Sequence, residues 1–316
     1  MVKRPPLLVL VGPTAVGKTA VAVRLGALLP IEVVSADSRQ VYRGLDIGTG
    51  KPSAEERVAV PHHLLDVADP GERYHAARFR TDARAAIAAI HGRGRLPVVV
   101  GGTGLYVRAL LKGLIPAPPA DPALRAELEA LAQAQGSPAL HARLAALAPE
   151  IAGRLHPNDR VRVIRAIEIH TGRATAPGAD AEGDWSGATR TWRLVMIGLG
   201  RERGALNAAI ALRARAMLAR GMMGEVERLL AVGHEPERPP MDGIGYRPLA
   251  LAARGRLPVE EALRLMIRDT TRYAKRQMTW FVRDPEIRWI DVDAAGGVEG
   301  AAEAVLKHLT QEGLTE

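Results

Sequence analysis

The sequence predicts an α/β protein: a parallel sheet with helices on both faces, interrupted by a small all-helical insertion. Three observations carry this. A glycine-rich loop, G-x-x-x-x-G-K-T at residues 12–19, stands between an apolar run and a helical stretch. Short, continuously apolar segments then alternate with helical patterns up to about residue 115. Finally, a proline-rich break at 116–122 opens into leucines at helical spacing, and strand character returns near residue 192. Continuous apolar strands joined by crossover helices mean a parallel sheet covered on both faces.

Taken in order, Leu7-Leu8-Val9-Leu10-Val11 reads as a buried first strand, and the first helix begins at Thr19. Ile31-Glu32-Val33-Val34-Ser35 and Leu96-Pro97-Val98-Val99-Val100 read as further strands, with a helix around 81–91 between them. From 123 to about 171 the chain is helical, with Leu124, Leu128 and Leu131, then Leu140, Leu144 and Leu147, on shared faces. Residues 173–189 are polar and rich in glycine and alanine, as in a mobile loop. The run 192–199 rejoins the sheet; helices follow at 206–220, 223–231 and 259–282, then a short strand at 287–290 and a last helix. The expected division is a core of 1–116 with 190–316 and an insertion of 117–189. No internal repeat is present.

With 316 residues, 47% of them hydrophobic, the chain can bury a sizeable core. Its formal charge of +8 suits a polyanionic partner, although arginine-rich soluble enzymes are basic as well. The absence of cysteine excludes disulfides, cysteine–zinc sites and a thiol nucleophile. No apolar run approaches membrane-spanning length, and the first strand begins too early for a signal peptide. A soluble, cytoplasmic protein without a membrane partner is the expectation.

The chemistry starts at Gly12-Pro13-Thr14-Ala15-Val16-Gly17-Lys18-Thr19, a phosphate loop in strand-to-helix context. Its glycines let backbone N–H groups wrap an anion, above the positive end of a helix. Lys18 adds a point charge, and the Thr19 hydroxyl suits a magnesium ion bridging phosphate oxygens. The core is therefore P-loop NTPase-like, with its active loops at the carboxyl ends of the strands. Asp37 stands at the end of the second strand, as a general base or as a cap of the next helix. The strand ending at Val100 runs into Gly101, Gly102, Thr103 and Gly104, where an ordinary phosphate-loop NTPase has a magnesium-holding acid. That weakens an ATP-hydrolase reading.

Arg213, on a later helix, is either a phosphate clamp or a solvated side chain. Arg264, Arg268, Arg272 and Lys275 share a helix face, with Arg276 beside them and only Asp269 interrupting, which matches a phosphate backbone. Arg160, Arg162 and Arg165 form a second basic group. Aromatics at 3% argue against a stacking platform. His62 and His63 read as structural, and the histidines show no metal-ligand spacing.

Several stretches together closely resemble the tRNA dimethylallyltransferase family. They are GPTAVGKT at 12–19, SADSRQVYRGLDIGTGKP at 35–52, PHHLLDVADP at 61–70, GGTGLYVRAL at 101–110, HPNDRVRVIRAIEIHTG at 156–172, IGYR at 244–247 and TRYAKRQMTWFVRDP at 271–285. The resemblance implies that the phosphate loop holds dimethylallyl diphosphate, with Mg2+. It also implies transfer of the dimethylallyl group to the exocyclic amine of the adenine 3′-adjacent to a tRNA anticodon; separately, a monomer is the expectation. By motif match Asp37 is the general base, Thr19 the magnesium-associated hydroxyl and Arg213 the diphosphate-binding arginine, with Lys18 in the phosphate loop. The implied tRNA contacts are Asp37, Ser38, Arg39 and Gln40; Thr103 and Arg125; Val161, Arg162, Val163, Ile164 and Arg165; and Lys275, Arg276 and Gln277, to which the basic stripe adds Arg272. Ala209 and Pro248 depart from the family pattern. The alternatives are a phosphate-loop kinase acting on a small metabolite and a tRNA-binding module that only senses nucleotide.

Overall fold

The computed structural model describes residues 4–114, 121–172 and 191–314. In chain order the elements are β1 (Pro6–Val11), α1 (Lys18–Gly26), β2 (Ile31–Ser35), α2 (Ala54–Ala59), β3 (His62–His63), α3 (Ala76–Gly92), β4 (Leu96–Gly101) and α4 (Gly104–Lys112). Then come α5 (Pro122–Gln135), α6 (Ser137–Leu147), α7 (Pro149–Ala152) and α8 (Arg160–Gly172). The chain continues as β5 (Arg193–Gly200), α9 (Arg203–Ala219), α10 (Met222–Ala231), α11 (Tyr246–Ala253), α12 (Val259–Phe281), β6 (Ile287–Asp291) and α13 (Gly297–Gln311). These form two compact units, Met1–Gly113 with Ala188–Glu316, and Leu114–Gly187.

The first unit is built on a sheet of six strands in the order β3-β2-β4-β1-β5-β6, every pairing parallel. Side chains alternate across a strand, and β1 is apolar throughout, so it feeds both faces. Leu7, Val9 and Val11 join a core with Phe79 and Ile87 of α3 and Val107 and Leu110 of α4. Leu8 and Leu10 join the opposite core with Val21 and Leu25 of α1 and Val305 and Leu309 of α13. Each of these buried aliphatic side chains contributes roughly 1.5–3 kcal/mol. Truncating Leu8 to alanine should cost about 2–5 kcal/mol, because the cavity adds to the lost transfer energy.

Chain reversal fixes where ligands go. From β1 the chain moves outward to β2 and returns through β4, then crosses to the other side of β1 as β5. A crevice opens at the carboxyl ends of the strands at such a switch point. β3 is only two residues long, pairing Val33 and Val34 with His62 and His63. α2 starts at a reciprocal Ser53–Glu56 capping box, and α4 starts directly after the glycines that end β4. Pro248 lies in the first turn of α11, where its missing N–H costs no helical hydrogen bond.

The second unit is all helical. Leu128, Leu140, Leu144, Val163, Ile164 and Ile167 form its buried core. The expected loop at 173–189 lies outside the described residues, as does most of the proline-rich break.

Candidate active site

The loop between β1 and α1 owes its shape to backbone freedom at three points. Gly12, Ala15 and Gly17 all have positive φ, and Gly17 precedes α1 without a side-chain cap. A Cβ on Gly12 would stand 2.5 Å from the Leu199 carbonyl oxygen, so β5 closes in on the loop. The first N–H groups of α1 keep their positive dipole end for a ligand. Lys18 donates to the carbonyls of Gly12 at 2.9 Å and Pro13 at 2.8 Å, curling back on its own loop. Burial pushes its ammonium down to about 7, against the pull of Asp37 and with help from Arg213. An anion in the loop reverses that, because it favours the charged form.

Asp37 follows β2 and organises a turn. Its Oδ1 accepts from Arg39 N at 2.8 Å and Gln40 N at 3.2 Å. Capping and catalysis therefore need not compete: one oxygen holds the turn and Oδ2 makes no hydrogen bond among the described residues. The glycines ending β4 brace this turn from behind. A Cβ on Gly101 would lie 2.2 Å from Ala36 O, and one on Gly102 would lie 2.1 Å from the Gln277 amide nitrogen. Those glycines admit protein, not ligand. Gln277 of α12 uses both ends of its buried amide, accepting from Thr14 N at 2.8 Å and donating to Gly102 O at 2.9 Å. The phosphate loop, β4 and α12 are thereby joined.

Arg213 of α9 reaches into the same space, 3.4 Å from Thr14 Oγ1 and 3.5 Å from Thr49 O. Burial lowers its guanidinium's pKa, partly offset by Asp37. Two adjoining cavities meet around Asp37, Thr14, Thr49 and Arg213. The polar one, about 350 Å³, has Lys18, Thr19 and Arg220 on its wall. The other, about 320 Å³, has an apolar wall of Ile210, Ala214, Met217 and Met266 and also meets Ser38, Arg39, Asp242, Thr270 and Arg276. Tyr273 lines both, and burial with the nearby Asp37 charge pushes its phenol up to about 12. One cleft thus has a cationic end, an apolar end and a carboxylate between them.

Comparison with known proteins decides the family. The family model for IPP transferase matches residues 40–284, and that for isopentenyl transferase matches 5–66. A tRNA dimethylallyltransferase of Syntrophotalea carbinolica is 50% identical over 289 residues, 92% of each chain. The chain belongs to the IPP transferase family. Among solved structures, the tRNA isopentenylpyrophosphate transferase of Bacillus halodurans is 40% identical with a TM-score of 0.69, over 98% of each chain. A eukaryotic dimethylallyltransferase acting on tRNA aligns with a TM-score of 0.75 at 25% identity, covering 96% of this chain and 78% of its own.

Of the residues expected at the donor site of this IPP transferase, Thr14, Ala15, Gly17, Lys18, Thr19, Asp37 and Arg213 line the cleft; Val16 is instead buried in the core beside β1, and Gly12 and Pro13 turn their carbonyls to Lys18. Ser38 and Thr103 meet across β2 and β4, Ser38 N donating to Thr103 Oγ1 at 3.0 Å. Arg39 turns to Pro240 O and to Asp242, at 3.0 and 3.2 Å.

Several expected RNA contacts have other partners. The side chains of Val163 and Ile164 are buried in the core of the helical unit, because α8 must bury an apolar stripe there. Val161 and Arg162 are the exposed members of the 161–165 run. Arg125 grips the buried Glu168 through two hydrogen bonds of 2.6 and 2.8 Å, and Arg165 adds a third at 3.1 Å. Burial would raise Glu168's pKa, but these arginines overcome it and hold the carboxyl below its usual range. Arg162 pairs with Asp159 at 3.1 Å. Gln277 is the buried strap described above.

On α12 the basic stripe is partly neutralised: Arg264 by Glu261, and Arg268 and Arg272 by Asp269. Arg276 lies over the Tyr273 ring, and Lys275 has no ion pair among the described residues. His62 Nδ1 donates to Val60 O at 2.7 Å, and the residue borders the polar cavity.

Two residues escaped sequence reasoning. Glu225, a lone acid in α10, is fully enclosed and hydrogen-bonded to the 46–48 turn. Lys51 is enclosed between Asp46 and Asp66. Only their inclusion, or their partners' inclusion, in the SADSRQVYRGLDIGTGKP stretch signalled them.

Proposed function

We propose that the chain transfers a dimethylallyl group from dimethylallyl diphosphate to the exocyclic N6 amine of the adenine 3′-adjacent to the anticodon in tRNA, releasing diphosphate. The single observation that carries this reading is the cleft's polarity. Asp37 stands between a cationic end fit for two linked phosphates and an apolar end fit for a five-carbon chain.

The amine nitrogen attacks the allylic carbon as the carbon–oxygen bond to diphosphate breaks. Asp37 Oδ2 accepts the proton the nitrogen loses, a step worth roughly 100- to 10,000-fold. Charge gathers on the departing diphosphate, where loop N–H groups, Lys18 and Arg213 stabilise it. Met217 and Met266 offer adaptable apolar contact for the dimethyl end. The donor set also fits magnesium. Thr19 lines the polar cavity beside Lys18, where its hydroxyl would meet an ion held by the diphosphate. Thr19 with phosphate oxygens and waters is the mixed shell that Mg2+ prefers, and the ion would neutralise leaving-group charge.

The target base leaves its stack to enter the cleft, at a cost of a few kcal/mol. Lys275, Arg276 and the helical insertion are the proposed tRNA contacts, in a monomeric enzyme acting in the cytoplasm. No helix of the described residues is long and apolar enough to cross a membrane. The test is mass spectrometry of unmodified tRNA incubated with protein, magnesium and dimethylallyl diphosphate. A gain of one dimethylallyl group on the adenine supports the reading; ATP consumption with unaltered RNA refutes it in favour of a kinase.

A further inference from the structure

Glu225 is a buried charge with four hydrogen-bond partners, and no role for it follows from the chemistry above. Its side chain is enclosed, with the residue 2% exposed. Oε2 accepts from Asp46 N at 2.9 Å and Ile47 N at 2.7 Å, while Oε1 accepts from Gly48 N at 3.1 Å and the Tyr246 hydroxyl at 2.7 Å. Three consecutive backbone N–H groups on one carboxylate define a fixed turn, much as a nest holds an anion. A buried carboxylate is tolerated only when its acceptor capacity is filled, and here it is.

What the turn carries is the point. Immediately beyond it, Gln40 Nε2 donates to Thr49 O at 3.4 Å and Gly50 O at 3.1 Å, and Arg213 approaches Thr49 O at 3.5 Å. Gly50 packs so closely that a Cβ there would lie 1.8 Å from Arg213 Nη2. Tyr246 presses on the turn from the other side, since a Cβ on Gly48 would lie 2.6 Å from its ring. Lys51 pins the far end, donating to Tyr42 O at 2.6 Å and Asp46 Oδ1 at 2.7 Å. Residues 46–51 therefore form a bracket with Glu225 at its base and the seats of Arg213 and Gln40 at its tip. Gln40 in turn belongs to the turn capped by Asp37.

We propose that Glu225 is a positioning residue for the transfer reaction. By fixing the 46–48 turn, it sets Arg213 against the diphosphate and supports the Asp37–Gln40 turn, without touching a reacting atom itself. This rests on the donor reading of the cleft. Glutamine at 225 keeps the shape, but even in its better orientation it turns an NH2 group toward the Gly48 N–H, so the bracket loosens while the core stays filled.

The experiment is a double-mutant cycle on the full chain. Glu225→Gln, Arg213→Ala and the double variant are assayed for tRNA prenylation, and inorganic diphosphate binding is measured by calorimetry. Val305→Ala, in the opposite core, serves as a stability control of comparable melting temperature. Glu225→Gln should lower kcat/KM for the donor by about 100-fold, the scale of an ångström's misplacement. KM for tRNA should stay within about twofold, and diphosphate affinity should fall at least about tenfold. The double variant should be no more than about threefold worse than the poorer single variant, since both act through one seat.

Multiplying losses, or a loss matched by Val305→Ala, would overturn the proposal. Should Glu225→Gln not fold, Glu225→Asp, which keeps the charge but withdraws it by one methylene, must show the same coupling to Arg213. If wild-type protein binds diphosphate but prenylates nothing, the donor reading fails. The diphosphate titration of Glu225→Gln still decides whether Glu225 sets the clamp.

Discussion

Gly50→Ala separates the clamp from the fold. Gly50 has φ of +61°, which alanine adopts at a cost of roughly 1–2 kcal/mol. Its new Cβ would lie 1.8 Å from Arg213 Nη2 and 2.8 Å from Cζ, where ordinary contact begins near 3.4 Å. The guanidinium must retreat by the difference, about 1.6 Å, and as the free end of a long side chain it can do so without moving backbone. The fold therefore loses only the backbone cost, whereas the diphosphate loses its fork. Displacing a positioning group by about 1 Å costs on the order of 100-fold. We expect kcat/KM for dimethylallyl diphosphate to fall by about that factor, with KM for tRNA nearly unchanged. Steady-state prenylation assays and thermal melts check both halves. Gly94→Ala is the control: its φ of +69° imposes the same backbone cost, and nothing lies within 4 Å of its added methyl. Wild-type kcat/KM in Gly50→Ala, or an equal loss in Gly94→Ala, would refute the reasoning.

Asp37→Asn keeps an oxygen for the Arg39 and Gln40 amides but cannot take a proton, so turnover should fall roughly 100- to 10,000-fold with both substrates still bound; single-turnover kinetics would expose an error if chemistry stays fast. Lys275→Glu should weaken tRNA binding and flatten its salt dependence more than Arg268→Glu, because Arg268 already spends its charge on Asp269; filter binding across salt concentrations ranks the two. Glu32 gives a pH signature: hydrogen bonds from Arg93, and secondarily from His63, outweigh burial and hold its carboxyl at about 2, below the ordinary 4.5. A depressed folded pKa stabilises above the unfolded value, so this contribution is full above about pH 4.5 and is lost as pH falls toward 2. Arg93 is half-exposed, so solvent screening keeps the contribution below what the shift alone would imply. Urea midpoints of Glu32→Gln should lack that part of the acid slope, and identical slopes in the two proteins would remove Glu32 from the account.

Local signals carried the parts of this molecule that are local. The phosphate loop is a backbone shape written in consecutive residues, and the strands at β1, β2 and β4 are apolar runs that nothing else explains. Asp37 was legible because a strand end in a parallel sheet has a known place. Residues 43–75 hold no period, being turns, one short helix and a two-residue strand, so sequence pattern gave no purchase there. Glu225 and Gln277 were illegible for a different reason: each acts on backbone groups more than 170 residues away. The charge stripe of α12 read correctly as a face. Its neutralisation did not, since Glu261 and Asp269 lie one helical turn or less from their arginines and act through rotamers, not spacing.

The glycines that end β4 tie these points together. An ordinary phosphate-loop NTPase uses that strand end for a carboxylate that holds magnesium. Here no side chain fits: Ala36 O fills the space at Gly101 and the Gln277 amide fills it at Gly102. The position has been given to a strap that ties α12 to the phosphate loop through Thr14. A hydrolase must position water and neutralise a transferred phosphoryl group, so losing that carboxylate would be costly. A prenyl donor breaks its bond at carbon instead, and its two phosphates depart together as the leaving group. Cations that grip the whole diphosphate then matter more than a metal poised at one phosphorus. In the proposed reading Lys18, Arg213 and the loop amides would supply that grip, and the strap joins the helix that bears Lys275 and Arg276 to the phosphate loop.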